Sequence, residues 1–158
     1  SKFKIITLDL SHNNLDTIPI SKLPLTLRKL KCTDNKLIKF MMMNYKNSVI
    51  PELQPYHNSD LNIEEIDLSN NKLKVVTIKM LSIQKNKILP KKIIVSNNKI
   101  ENLAINDNIH YLDISNNLNI NPEVLFAVEK IDTLIQTNNP KKLKTKRIPR
   151  PKKPIICF

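Results

Sequence analysis

The chain has 158 residues, enough for one domain, and is 41% hydrophobic but only 4% aromatic with no Trp, so any core must be filled by aliphatic side chains. It contains no Gly, which excludes the phosphate-binding loop and the dinucleotide fingerprint, and also the strained G-x-S-x-G nucleophile elbow. The net charge of +12 is uneven: eight cations and no acid lie beyond residue 140, so the first 140 residues carry only +4 and are not a nucleic-acid binder by charge alone.

Without Gly, turns at positive φ fall to Asn and Asp. Asn is abundant, often paired as in Asn13-Asn14, Asn70-Asn71 and Asn97-Asn98. The excess of Lys, Ile and Asn resembles a coding bias toward A and T, of the kind found in large DNA viruses and protists.

In chain order, the first element is an eleven-position pattern from Ile5 to Leu15, with Leu8 and Leu10 at its fourth and sixth positions and Asn13 at its ninth. It returns from Leu27 to Leu37, with Cys32 at the sixth position and Asn35 at the ninth. A degenerate copy follows, with Phe40, Met43 and Tyr45 at the strand positions and Ser48 in place of Asn. An insert over about 44–62, containing Pro51, Pro55, Tyr56 and His57, is expected to protrude. The pattern resumes at Ile63 (Ile66, Leu68, Asn71, Leu73), Ile78 (Leu81, Ile83, Asn86, Ile88) and Pro90 (Ile93, Val95, Asn98, Ile100). It continues at Ile109 (Leu112, Ile114, Asn117) and fades from Ile131 through Leu134 to Asn139. The starts at 63, 78 and 90 are unusually close, leaving little chain for a full coil. Asn121-Pro122-Glu123 reads as a helix start, with Val124, Leu125 and Val128 behind it.

The L-x-L step has the period of two that belongs to a strand, so Leu8 and Leu10 point inward and Asp9 outward. One such coil cannot bury its apolar row alone, whereas stacked neighbours make a continuous core. The ninth-position residues Asn13, Asn35, Asn71, Asn86, Asn98, Asn117 and Asn139 are expected to form an inner ladder, bonding loop backbone groups that would otherwise be buried unpaired. Ser11, Ser69, Ser96 and Ser115 recur at the seventh position and mark repeat geometry, not a nucleophile.

Over about residues 3–140 this pattern resembles the leucine-rich-repeat family, and Leu23-Pro24-Leu25-Thr26-Leu27-Arg28-Lys29-Leu30 is similar to the short LP-type repeats of bacterial effectors. The resemblance implies an α/β repeat solenoid: an arc of about seven or eight rungs, with a parallel sheet on the concave face and a mostly loop and turn convex side. It implies a repeat domain over 1–140 followed by a tail over 141–158. It also implies a non-catalytic scaffold that binds an unidentified protein on its concave face, where the second, third and fifth positions of each copy point. Reading those positions, the candidate partner-binding residues are Met80, Lys92, Ile94, Tyr111, Asp113 and Ile135. In the N-terminal half, strands that meet across the insert would pair Lys29 with Glu65 and Lys31 with Asp67.

His12, His57 and His110 are scattered without metal-ligand spacing, so no catalytic residue, metal or cofactor is expected. Cys32 takes a core position as a buried thiol, and with Cys157 it makes no disulfide framework. No signal peptide and no apolar run of membrane-spanning length is evident. An intracellular protein is expected, cytoplasmic or nuclear, or associated with a virion.

The tail carries Lys141, Lys142, Lys144, Lys146, Arg147, Arg150, Lys152 and Lys153 among prolines. It reads as an extended, solubilising or anchoring segment. Nucleic acid is a partner only through this tail. The alternative function is a structural component of a larger assembly, such as a viral particle, gripping nucleic acid or a neighbouring subunit by the same residues.

Overall fold

A computed structural model describes residues 4–44, 61–80, 90–105, 109–120 and 131–139. The interior of the insert, Asn86, the Asn121 helix start and the basic tail lie outside them. The strands are β1 (Thr7–Asp9), β2 (Lys29–Lys31), β3 (Lys39–Asn44), β4 (Glu65–Asp67), β5 (Val75–Met80), β6 (Lys92–Ile94), β7 (Asn102–Ile105), β8 (Ile109–Asp113) and β9 (Ile131–Ile135). Among the described residues the only helical element is a 3-10 turn, Ile20–Lys22. Every pairing is parallel, giving a six-stranded sheet of order β1-β2-β4-β6-β8-β9 and a three-stranded sheet of order β3-β5-β7.

The first sheet follows the sequence pattern position by position. Leu8, Leu30, Ile66, Ile93, Leu112 and Leu134 lie side by side in register, and the four interior ones are fully buried. The sixth-position residues Cys32, Leu68, Val95 and Ile114 are buried beside them. Leu8, Leu10 and Leu15 in the first rung are partly buried and pack against this core.

Each rung leaves its strand through a left-handed residue at the eighth position: His12, Asp34, Asn70, Asn97, Asn116 and Asn138, all with φ between 53° and 58°. These are short polar side chains, which tolerate this region best when Gly is absent. The next residue is the ladder Asn. The Nδ2 of Asn71 donates to the Cys32, Leu68 and Ser69 carbonyls at 2.9–3.0 Å, and its Oδ1 accepts from the Leu37 amide at 3.0 Å. Asn98 repeats this with Leu68, Val95, Ser96 and the Leu73 amide, and Asn117 with Val95, Ile114, Ser115 and the Ile100 amide. One amide side chain thus closes its own turn and ties it to the preceding rung. Asn35 does the same toward Leu10 and Leu15, whereas Asn13 bonds only within its own turn, to Leu10 and Ser11. Asn139 reaches back to the Ile114 carbonyl and the Asn117 amide.

The second sheet corrects two expectations. Ile78 does not open a repeat of the first sheet, and Phe40 does not belong to a degenerate copy of it. Both sit in the three-stranded sheet, where Phe40, Val76 and Leu103 are in register, as are Met42, Ile78 and Ile105. All six are buried. The side of the chain expected to be mostly loop and turn therefore carries three strands. Their placement is regular: Lys39 follows Lys29, Val75 follows Glu65 and Asn102 follows Lys92 by the same ten residues. The core lies between the two sheets, and each fully buried aliphatic side chain there contributes about 1.5–3 kcal/mol by leaving water.

The ladder agrees with this correction. Asn98 bonds directly to the Asn71 rung, so consecutive copies start at 63 and 90, an interval within the usual repeat length.

Cys32 is fully buried and not in a disulfide. Burial, and then the Asp9 and Asp67 carboxylates, push its thiol up to about 12. Because the thiolate is the nucleophile, native-state alkylation of Cys32 at pH 8 should be at least ~1,000-fold slower than in the unfolded chain. Peptide mass mapping with and without urea reads this directly, and prompt native alkylation would put Cys32 outside the core.

Candidate protein-binding face

The outer face of the six-stranded sheet is shaped by a recurring local arrangement. At β2, β4, β6 and β8 two consecutive amides donate to one carbonyl: Arg28 and Lys29 to Ile6, Glu64 and Glu65 to Arg28, Lys91 and Lys92 to Glu64, His110 and Tyr111 to Lys91, all at 2.8–3.1 Å. This interrupts simple alternation at the second and third pattern positions, as a bulge does. Within the strands, the third and fifth positions flank the buried fourth.

Three rows of side chains result. The third-position row runs Thr7, Lys29, Glu65, Lys92, Tyr111, Thr133, and the fifth-position row Asp9, Lys31, Asp67, Ile94, Asp113, Ile135. The second-position row contains Arg28, Glu64, Lys91, His110 and Asp132.

In the N-terminal half the charges satisfy one another. Lys29 Nζ meets Glu65 Oε1 at 3.2 Å, as its sequence position led us to expect, and Arg28 Nε meets Glu64 Oε1 at 3.8 Å. Lys31, expected opposite Asp67, is in register with it but turns to Asp9 at 3.5 Å. The Asp67 Oδ1 is taken by the Ser69 amide and hydroxyl at 3.1 and 2.7 Å. Asp9 Oδ1 accepts from the Ser11 amide at 2.9 Å, and the Ser11 hydroxyl and amide, with Lys31 beyond them, hold this carboxyl below its usual value. The side chains of the Arg28–Glu64 and Lys29–Glu65 pairs are about half exposed, so each of these two pairs contributes no more than about 1 kcal/mol.

A leucine-rich-repeat family model matches residues 4–24, the stretch that holds β1, the left-handed His12 and Asn13. The chain carries a leucine-rich repeat. No curated protein and no solved structure matches the chain. Parallel strands and near absence of helix among the described residues fit the repeat fold, and leucine-rich repeats commonly bind proteins on their exposed sheet.

The C-terminal half of the six-stranded sheet differs in character. Tyr111 is half-buried on β8, with Lys92 of β6 5.8 Å from its ring centroid and Thr133 in register on its other side. Ile94 and Ile135, both half-buried, flank Asp113 in the fifth-position row. His110 finds its carboxylate in the next rung, with Nδ1 2.7 Å from Asp132 Oδ2. Lys92, Ile94, Tyr111, Asp113 and Ile135 are thus brought together on three adjacent strands. Met80 is not: it ends β5 in the other sheet. That removes Met80 from the candidate docking surface, because Ile78 opens no rung of this sheet.

Asp113 also has a structural role the sequence reading missed. Its Oδ1 accepts from the Ser115 amide at 2.9 Å and the Ser115 hydroxyl at 2.7 Å. The signal was the Asp-x-Ser spacing shared by Asp9, Asp67 and Asp113. A further row was also missed: the eighth-position amides, in which Asn116 Nδ2 donates to Asn97 Oδ1 at 2.7 Å and Asn138 Nδ2 to Asn116 Oδ1 at 2.8 Å.

No group of three or more metal-ligating side chains occurs among the described residues. No helix among them is long and apolar enough to cross a membrane.

Proposed function

We propose that the chain is a non-catalytic leucine-rich-repeat solenoid that docks a protein partner on the C-terminal half of its exposed sheet. Tyr111 is the centre of that surface, with Lys92, Ile94 and Ile135 around it. One observation carries this reading: the N-terminal rows are occupied by mutual ion pairs, whereas Tyr111, Ile94 and Ile135 remain half-exposed with apolar surface to offer. Aromatic residues are enriched at interface centres and charged residues depleted there. Asp113, between Ile94 and Ile135 in the fifth-position row, completes the proposed surface, with one carboxylate oxygen used by Ser115.

Pull-down from the native source with Y111D and I135D chains should lose the partner while circular dichroism and the thermal transition stay intact. Retention of the partner by both folded variants would reject the docking surface.

The charge of the tail supports a second reading. Lys141, Lys142, Lys144, Lys146, Arg147, Arg150, Lys152 and Lys153 lie within thirteen residues that contain no acid, which fits an anchor to nucleic acid or to a neighbouring subunit of an assembly. Binding that persists in Y111D but falls steeply with salt, with a log-slope of about −7 for duplex DNA, belongs to the tail.

A further inference from the structure

The exposed sheet leaves two cations without a carboxylate. In the second- and third-position rows, one acid lies between two cations: Glu64 between Arg28 and Lys91, and Glu65 between Lys29 and Lys92. Both acids turn to the N-terminal member, at 3.8 and 3.2 Å. Arg28 is fixed there by more than its ion pair, since its Nη1 also donates to the Leu27 and Asn62 carbonyls at 3.1 and 3.2 Å. On the other side, Asp132 is engaged by His110 at 2.7 Å and Asp113 by Ser115. Among the described residues, Lys91 and Lys92 therefore form no ion pair within 4.0 Å, and both are exposed. They are consecutive on the rung of β6, beside Tyr111 and Ile94.

We infer that the partner docked on this face is a protein segment presenting a carboxylate to Lys91 and Lys92, with an apolar neighbour that covers Tyr111, Ile94 and Ile135. This rests on the docking reading above and names the chemistry it selects. A charge-assisted bond from ammonium to carboxylate is stronger than a neutral one, and the flanking apolar contact strengthens it by excluding water. A nucleic-acid backbone fits this face poorly. Glu64 and Glu65 lie on the neighbouring rung on one side and Asp113 on β8 on the other, and these acids repel a polyanion while leaving room for a single acid. The preference is set by the unmatched cations, so charge at these two positions decides which partners are accepted.

The test uses a phage-displayed library of random twelve-residue peptides, panned against the full chain and against full-length K91E/K92E and Y111D. The wild-type chain is expected to enrich peptides with Asp or Glu next to aliphatic or aromatic residues. Synthetic versions of the selected peptides should bind the wild type at least about 10-fold more tightly than their Gln or Asn counterparts. K91E/K92E should lose this preference or invert it toward Lys and Arg. Acid preference that survives in K91E/K92E assigns it to the tail and overturns the inference. Peptides lost from Y111D but indifferent to their own acids leave the docking surface standing and overturn only its chemistry. Selection insensitive to Tyr111 and to both lysines, or no selection at all, overturns both.

Discussion

Replacing Asn117 by Ala should lower the unfolding free energy by about 3–5 kcal/mol, since each buried group left unpaired costs about 1–3 kcal/mol. Asn117 is fully buried at 0% exposure. Its loss strands the Ile100 amide and removes a donor shared by the Val95, Ile114 and Ser115 carbonyls. The damage is not local, because Ile100 and Val95 belong to the preceding rung. Against a total stability of about 5–15 kcal/mol, a loss of this size approaches unfolding at ordinary temperature. Asn13 provides the control: it has the same residue type and the same pattern position, but it is exposed and bonds only within its own turn. N13A should cost less than about 1 kcal/mol, because water can replace both of its exposed bonds. Urea titrations of both variants, with equal m-values, measure the difference. Equal losses at the two positions would mean that the amides stabilise turns and not the join between rungs.

Phe40→Ala should be comparably severe, at about 3–5 kcal/mol, because it opens a cavity in a close-packed interior. Phe40 is 2% exposed and faces the core from β3, in register with Val76 on β5. A double-mutant cycle with V76A tests that register as well as the burial. Neighbours that share a cavity couple by about 0.5–3 kcal/mol, while distant sites add. Strict additivity of F40A and V76A would remove the second sheet from the fold.

The first sheet was legible because three constraints act on the same residues. The L-x-L alternation fixes which side chains are inward, the ladder Asn must bond buried backbone, and the residue before it must accept positive φ. The second sheet obeys only the first of these, and this is why it was misread. Around Ile78 the aliphatic spacing and Asn86 imitate a repeat, but the eighth position there is Lys85. In every true copy that position holds His, Asp or Asn with a left-handed backbone. A long cation is a poor occupant of that region, so this position could have rejected the copy and with it the short steps. Met80 entered the candidate site through the same imitation.

The candidate site was legible in its membership more than in its wiring. The placement of Tyr111, Lys92, Ile94 and Ile135 on neighbouring strands follows from the pattern alone. Which acid each cation takes does not. Lys31 has Asp9 on one side and Asp67 on the other, and Ser69 occupies an oxygen of the second. Competition of that kind is set by side-chain geometry within a few ångströms. It is also what leaves Lys91 and Lys92 without an ion pair among the described residues.

The register of parallel strands underlies the map of the proposed docking face, and double electron–electron resonance measures it most directly. Spin labels at Thr7 paired with Lys92, Tyr111 or Thr133, in a C157S chain whose buried Cys32 resists labelling, span three, four and five strand intervals of the sheet. With strands about 4.8 Å apart, the backbone separations should be roughly 14, 19 and 24 Å, rising in that order. Distances that fail to rise, or that place Thr133 nearer to Thr7 than Lys92 is, contradict the side-by-side order of the rungs.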